Sequence, residues 1–496
     1  MHLLFKKHIL YSVLLLIFIQ LTLYSNIGLE RRVYAATSPG AVNDANIKYV
    51  GRWDTGSSTV VKSYWGGAYF KTGFTGTTVK IQLAAPVTIW VSIDGTDTRY
   101  ENVSGLVDLT PTPLVARKHF LRVAAQSEKD SIQFQGLVLD AGASTFAPPL
   151  SSKLIEFVGD SITAGWLDTR RALSDYAWIV GERLSMEHTQ IAQPGICLID
   201  GVQCYSNYPI GMSQQFFKTQ TVDTPNSSNW DFSRYQPEAV VINLGTNEHW
   251  TGQSDVLFEK TYINFLQRMR TTYPNALIFV LRTFGGHKVD QTMSAVQSLI
   301  ATEEENVSYI DSTDWLSKDD YVSDGVHPND EGQVKIADAL EPILAEALNV
   351  FPADPTTSYK VTNRLSGMSL SLANAGNAIV QRKYLGTDDQ RWNLLPVGDG
   401  SYKLMNVKNK LLLQYPHDAS IAGSERSALL ETGADDGEMS QWFELREGEN
   451  GSYNLVNEGN GLYADDARTL HASGDPISGQ SPDGKRDQEW RIIPVI

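Results

Sequence analysis

The chain has 496 residues, of which 42% are hydrophobic and 20% charged, and a formal net charge of −16. That length accommodates about three domains and the apolar content is ample for packed cores, which excludes a disordered chain. The acidic balance argues against a nucleic-acid or anionic-membrane partner, and beyond that it speaks only of solubility.

At the start, Lys6 and Lys7 precede an apolar stretch from Ile9 to Tyr24 that is interrupted only by Ser12, Gln20 and Thr22. Val33-Tyr34-Ala35 then offers a small-residue cleavage site. Residues 1–35 read as a secretory signal peptide, which predicts a secreted, extracellular protein with no membrane contact after cleavage. An uncleaved anchor is the alternative, although the run is short against the roughly 20 residues of a membrane span.

From 47 to 147 the pattern turns to short alternating runs such as Thr78-Val79-Lys80-Ile81-Gln82-Leu83 and Val87-Thr88-Ile89-Trp90-Val91-Ser92-Ile93, broken by Gly and Asp turns. Period-two alternation of this kind predicts an all-β domain, a sandwich. Its aromatics are expected to be mostly core, with a sugar platform as the alternative.

Residues 151–350 alternate strand and helix. Leu154-Ile155-Glu156-Phe157-Val158, Ala239 to Leu244, Leu277 to Leu281 and Val307 to Ile310 are apolar runs of strand length, separated by helical periods. Phe258, Tyr262, Phe265, Met269 and Tyr273 recur at helical spacing, and a last helix is expected from about Asp330 to Leu348 with Asn329 as its cap. These features predict a three-layer α/β domain with a mostly parallel sheet.

Three short blocks in this region carry chemistry: Gly159-Asp160-Ser161-Ile162-Thr163, Gly245-Thr246-Asn247-Glu248 and Asp324-Gly325-Val326-His327. A turn after an apolar strand delivers Ser161 to a strand's carboxyl end, where open α/β sheets place their sites. Serine needs a base to become a nucleophile, and His327, oriented by Asp324, is the candidate. Charge developing on an attacked carbonyl oxygen needs fixed donors, for which the Asn247 amide and the backbone N–H groups of Ser161 and Gly195 are available. Each residue also has an ordinary structural role: Ser161 or Asp160 as a turn or cap, His327-Pro328 as a loop. Asp324 is dispensable if a backbone carbonyl orients the histidine. Trp250, two residues after Glu248, either lines an acceptor-sugar site or belongs to the core.

Cys197 and Cys204 are the only cysteines. They either pair, closing a small loop beside the proposed oxyanion site, or stay free and buried. Two thiols do not complete a zinc site, and no metal or cofactor is expected.

At these residues the chain resembles the SGNH (GDSL-type) hydrolases, whose four blocks contribute Ser, Gly, Asn and His; Ile191-Ala192-Gln193-Pro194-Gly195 supplies the Gly block by position. Gly51-Arg52-Trp53-Asp54, Tyr64-Trp65-Gly66-Gly67-Ala68-Tyr69-Phe70 and Phe74-Thr75-Gly76-Thr77 resemble the jelly-roll module that precedes the catalytic domain in carbohydrate esterase family 2. The resemblance implies an esterase removing O-acetyl groups from a hemicellulose-like polysaccharide. A GDSL lipase or aryl esterase, and a noncatalytic glycan-binding protein on a degenerate hydrolase fold, are the alternatives.

After a linker at 351–357, residues 358–496 repeat. Ser358-Tyr359-Lys360-Val361-Thr362-Asn363 recurs as Ser401-Tyr402-Lys403-Leu404-Met405-Asn406 and as Ser452-Tyr453-Asn454-Leu455-Val456-Asn457. The copies end in Gln390-Arg391-Trp392, Gln441-Trp442-Phe443 and Gln488-Glu489-Trp490. Three copies imply a threefold fold around one shared core, expected to separate cleanly from the catalytic domain. It resembles the ricin-B-type β-trefoil, a carbohydrate-binding module, which makes a glycan a possible second ligand. Sugar-binding repeats of that family usually carry an Asp in a Leu-Asp-Val-like stretch. The corresponding places read Leu370-Ser371-Leu372, Leu411-Leu412-Leu413 and Leu462-Tyr463-Ala464, so altered lectin sites are expected.

Overall fold

The structure, a computed structural model, describes residues 38–495 apart from 149, 152, 207, 225, 303–305, 349–356, 398–400, 417–428, 449–450 and 467–471. The signal-peptide reading of 1–35 and the linker, save Thr357, lie outside the described residues. Among the described residues no helix is long and apolar enough to cross a membrane.

Nine strands between Lys48 and Phe146 form one hydrogen-bonded sheet, seven of them in a single path with two more paired at its sides. The long strand Val79–Ile93 keeps the alternation read from its sequence: Val79, Ile81, Leu83, Val87, Ile89 and Val91 are buried. A register shift between Leu83 and Val87 accommodates Pro86, which has no N–H to give a ladder. The path curls until strands from its opposite ends meet, with the Tyr49 and Trp53 rings 5.0 Å apart. The interior takes up the motif aromatics, since Trp53, Phe70 and Phe74 are wholly buried. Those rings are core, not a platform.

The central domain holds five parallel strands in the order Glu187–Ala192, Leu154–Gly159, Ala239–Asn243, Leu277–Leu281, Val307–Ile310. Successive side chains of a strand point to opposite faces, and the partition is visible here. Val158, Val240 and Ile242 pack under the helices Asp255–Thr272 and Val289–Ile300. Ile155, Phe157, Ala239 and Val241 pack under Tyr176–Arg183 and Asp330–Leu348. The result is the expected three-layer α/β domain. The stripe Phe258, Tyr262, Phe265, Met269 and Tyr273 is fully buried, and the Asn329 side chain accepts from Gly332 N at the start of the last helix.

Residues 358–495 form the third domain, again β-rich, closed by pairing of its first strand, Ser358–Asn363, with its last, Trp490–Val495. Its threefold order is plain in the Gln-x-aromatic positions. Gln390, Gln441 and Gln488 are buried, and their Nε2 atoms donate to Ser371 Oγ (3.1 Å), Gln414 Oε1 (2.8 Å) and Asp465 Oδ2 (2.8 Å). The core aromatics are Trp392, Phe443 and Trp490.

Pairing of Thr362 with Ser369, Met405 with Leu412 and Val456 with Tyr463 makes Ser371, Gln414 and Asp465 equivalent. The sequence alignment of the second and third repeats is therefore corrected by two residues. A two-residue slip leaves the same faces in and out, so the apolar pattern does not expose it. The third repeat does carry an Asp where sugar-binding repeats have one.

The expectation of a cleanly separable third domain also needs correction. In the second repeat Phe443 takes the core place and leaves Trp442 to stack on Phe120 of the N-terminal β-domain, ring centroids 4.8 Å apart. Arg117 lies 4.0 Å from Glu438 across the same junction, and Lys153 of the central domain lies 3.7 Å from Glu447.

Candidate active site

Ser161 is delivered by a tight turn at the carboxyl end of the strand Leu154–Gly159, second in the five-stranded sheet. Gly159 is required there, because a Cβ would lie 2.1 Å from Thr163 Oγ1. Asp160 shapes the turn by accepting from Ile162 N (3.0 Å), and Trp166 N donates to Ser161 O (2.9 Å). Burial raises Asp160 to about 6, against the pull of its Ile162 hydrogen bond and of His327.

His327 arrives from the loop before the last helix. Its Nε2 lies 2.8 Å from Ser161 Oγ and its Nδ1 2.7 Å from Asp324 Oδ2. Asp324 does two things at once. Oδ2 meets the imidazole, while Oδ1 accepts the N–H groups of Val326 (2.9 Å) and His327 (3.0 Å) and so sets the loop. Partial burial works to raise the Asp324 pKa, but these hydrogen bonds outweigh it and hold the carboxyl below its ordinary value. An ionised carboxylate at Nδ1 fixes the tautomer that leaves Nε2 free to accept a proton from Ser161.

Asn247 stands in the short helix Thr246–Trp250 at the end of the next strand, its Nδ2 donating to Ile196 O (2.8 Å) and approaching Asp160 Oδ2 (3.4 Å). Gly195 has φ +75°, and a Cβ on it would meet the Tyr205 carbonyl carbon at 2.6 Å. Its carbonyl accepts the N–H groups of Tyr205 and Ser206, both at 2.9 Å, which folds the loop back on itself. Cys197 and Cys204 form a disulfide across that loop, closing the alternative left open by the sequence.

Ser161, Gly195, Asn247, Trp250, Asp324 and His327 all line one cavity of about 600 Å³. Trp250 is 53% exposed, not core. Sequence reasoning missed Trp166, Tyr205, Glu128 and Lys129, which line the same cavity. The last two belong to the N-terminal β-domain and reach the site only through domain packing, a contact with no local signal. Behind Trp250, the His249 and His287 rings stack at 3.9 Å.

Residues 157–335 match the GDSL-like lipase/acylhydrolase family, residues 49–149 the carbohydrate esterase 2 N-terminal family, and residues 349–425 the ricin-type β-trefoil lectin domain-like family. The chain is 27% identical over 263 residues to the cellulase/esterase CelE of Acetivibrio thermocellus, covering 48% of this chain and 31% of CelE. It is 23% identical over 247 residues to an acetylxylan esterase / glucomannan deacetylase of Cellvibrio japonicus, covering 44% of this chain and 68% of that protein. Among solved structures, a family two carbohydrate esterase from Clostridium thermocellum in complex with cellohexaose is similar at a TM-score of 0.54 and 24% identity, over 61% of this chain and 99% of that one. A family two carbohydrate esterase from Cellvibrio japonicus gives 0.52 and 19%, over 62% and 97%. Across its first two domains the chain thus resembles carbohydrate esterase family 2, a GDSL-type hydrolase domain behind a family-2 N-terminal module, with a ricin-type trefoil after them.

Proposed function

We propose that this chain is an extracellular carbohydrate O-acetyl esterase acting on acetylated, hemicellulose-like polysaccharide. The observation that carries the reading is the unbroken relay from Ser161 Oγ through His327 to Asp324 at the floor of an open cavity. Ser161 attacks the acetyl carbonyl as His327 Nε2 takes its proton. The resulting oxyanion is held by the Asn247 amide and the backbone N–H groups of Ser161 and Gly195, the long Asn247–Asp160 contact being the one an oxyanion replaces. His327 returns the proton to the leaving sugar oxygen, and the acetyl-enzyme is hydrolysed by water that the same imidazole deprotonates.

The lining of the cavity supports a sugar ester over a long-chain lipid. Exposed Trp250 and Tyr205 offer faces on which sugar rings stack, and Glu128 and Lys129 place charge where a lipase would need an apolar trough. Asp465, in the third repeat of the trefoil, supports glycan attachment there as a second, separate contact.

Acetate release across acetylated xylan, glucomannan, pectin and bacterial exopolysaccharide, with a chain-length series of synthetic esters beside it, tests the reading. Acetyl is expected to be preferred over butyryl and longer groups. Preference for octanoyl would replace it with a lipase.

A further inference from the structure

Glu248 follows Asn247 in the Gly245-Thr246-Asn247-Glu248 block and has no part in the acyl-transfer steps above. It is nonetheless wholly buried, directly behind the proposed oxyanion site. Its Oε1 accepts the backbone N–H groups of Leu198 (2.5 Å) and Ile199 (3.1 Å), and its Oε2 has no hydrogen-bond partner among the described residues. Those two amides belong to the loop that begins at Gly195.

That loop and the short helix Thr246–Trp250 each carry one proposed oxyanion donor, Gly195 N–H and the Asn247 amide. Three links hold them in register. Asn247 Nδ2 donates to Ile196 O. Thr251 Oγ1 donates to Asn247 O at 2.7 Å and lies 3.9 and 3.5 Å from the Cys197 and Cys204 sulfurs. Glu248 makes the third link, and it alone of the three depends on a titrating group.

We propose that Glu248 is a positioning residue for the oxyanion hole, its ionised carboxylate holding the Leu198 and Ile199 amides so that the Gly195 loop stays aligned with Asn247. The proposal rests on the esterase reading. A carboxylate accepts two amide hydrogen bonds strongly. The neutral acid accepts them more weakly and brings an O–H to Oε2, where no acceptor waits, so protonation loosens the loop. Burial pushes Glu248 up to about 7, against the pull of the Ile199 and Leu198 N–H groups, and the charge of Asp160 pushes the same way as burial. Asp160, from the turn after Leu154–Gly159, and Tyr262, from the long helix Asp255–Thr272, are the titratable groups whose charge it feels.

The sign follows. His327 must be neutral and Glu248 ionised for full activity, and acidification removes both conditions. The plot of log kcat/KM against pH for a soluble acetyl ester should therefore reach a slope of two on its acid side, where His327 alone gives one. Glu248→Gln keeps an acceptor oxygen but no longer titrates, so its acid limb should fall to a slope of one. Glu248→Ala should lower kcat on the order of 10-fold or more at every pH with KM little changed, since a displaced donor is felt in the transition state. Return to pH 8 after each acid exposure must restore the full rate, which separates titration from unfolding. A slope of one in the wild-type enzyme overturns the proposal without any variant having to fold. A slope of two that persists in Glu248→Gln overturns it in favour of Asp160. The esterase reading fails by a different result: acetyl-ester turnover that survives Ser161→Ala.

Discussion

Arg52 of the N-terminal β-domain lies 3.7 Å from Glu156 of the strand Leu154–Gly159, and both side chains are wholly out of solvent. Glu156 also accepts from Tyr235 (2.5 Å) and Tyr273 (2.9 Å), while Arg52 Nη1 donates to the carbonyls of Phe216 and Lys218 and its guanidinium lies 4.9 Å from the Phe216 ring centroid. A second buried pair, Lys71 with Glu187 at 2.9 Å, joins the same two domains. Glu156 stands three positions before Gly159 of the turn. The β-domain is thus fastened to the strand that delivers Ser161.

Removing one partner of such a pair leaves a buried charge uncompensated. Arg52→Ala should therefore destabilise the protein by about 3–5 kcal/mol. Chemical denaturation is expected to show the β-domain and the α/β domain losing structure in one transition that moves to lower denaturant. Two well-separated transitions, or an unmoved midpoint, would mean that the domains are coupled elsewhere.

For the chemistry itself, Ser161→Ala should abolish acetyl-ester turnover and leave the fold intact, because the turn requires Gly at 159 and only a small side chain at 161. Asn247→Ala should lower kcat on the order of 100-fold or more through loss of one oxyanion donor. If kcat drops by less than about threefold, the donor is another group.

The parts of this site that the sequence made legible are those whose roles are local. Ser161 stands on a turn announced by an apolar strand, and Asp324 and His327 are three residues apart in one loop, so order and spacing carried them. Glu128, Lys129 and Trp166 had no such signal, since packing between domains brings the first two to the cavity. The trefoil shows the same limit. Its Gln-x-aromatic ends were fixed by chemistry that recurs in each copy, but the Leu-rich strands between them read alike in registers two apart, and only the hydrogen-bonded pairs place Asp465. The second repeat has two aromatics in succession, and only one, Phe443, enters the core, while Trp442 packs on Phe120.

Trp250 separates recognition from chemistry. Trp250→Ala should raise KM for an acetylated oligosaccharide on the order of 10-fold, the scale of one lost stacking contact, and leave kcat on a minimal acetyl ester nearly unchanged. Equal losses on both substrates would instead make Trp250 a support for the neighbouring His249–His287 stack.

The Cys197–Cys204 disulfide closes a short loop beside Gly195. Replacing both residues by Ser should cost up to about 2.5 kcal/mol of stability by the loop-entropy model. Since the loop also carries a proposed oxyanion donor, kcat should fall while KM stays close to its original value. Urea unfolding with and without reductant, followed by steady-state kinetics, measures both effects. An enzyme indifferent to reductant in both would show that the three hydrogen-bonded links to the helix suffice.

Truncation after Thr357 separates the trefoil's two roles. On a small soluble ester kcat should change by less than about twofold, because every residue assigned to the reaction lies between Ser161 and His327. Stability should nonetheless fall, since Phe120 loses its stack on Trp442, an aromatic pair worth about 0.5–1.5 kcal/mol beyond its buried area. Trp442→Ala in the full chain should reproduce most of that shift without affecting glycan attachment. On an insoluble acetylated polysaccharide the proposed glycan contact of the trefoil should raise the local concentration of the catalytic domain, so the truncated enzyme should release acetate more slowly at low substrate loading. Asp465→Ala in the full-length protein should give the same slowing with the Phe120–Trp442 junction intact. If truncation lowers stability but neither truncation nor Asp465→Ala slows release from any insoluble glycan, the trefoil serves the enzyme through its packing on the β-domain alone.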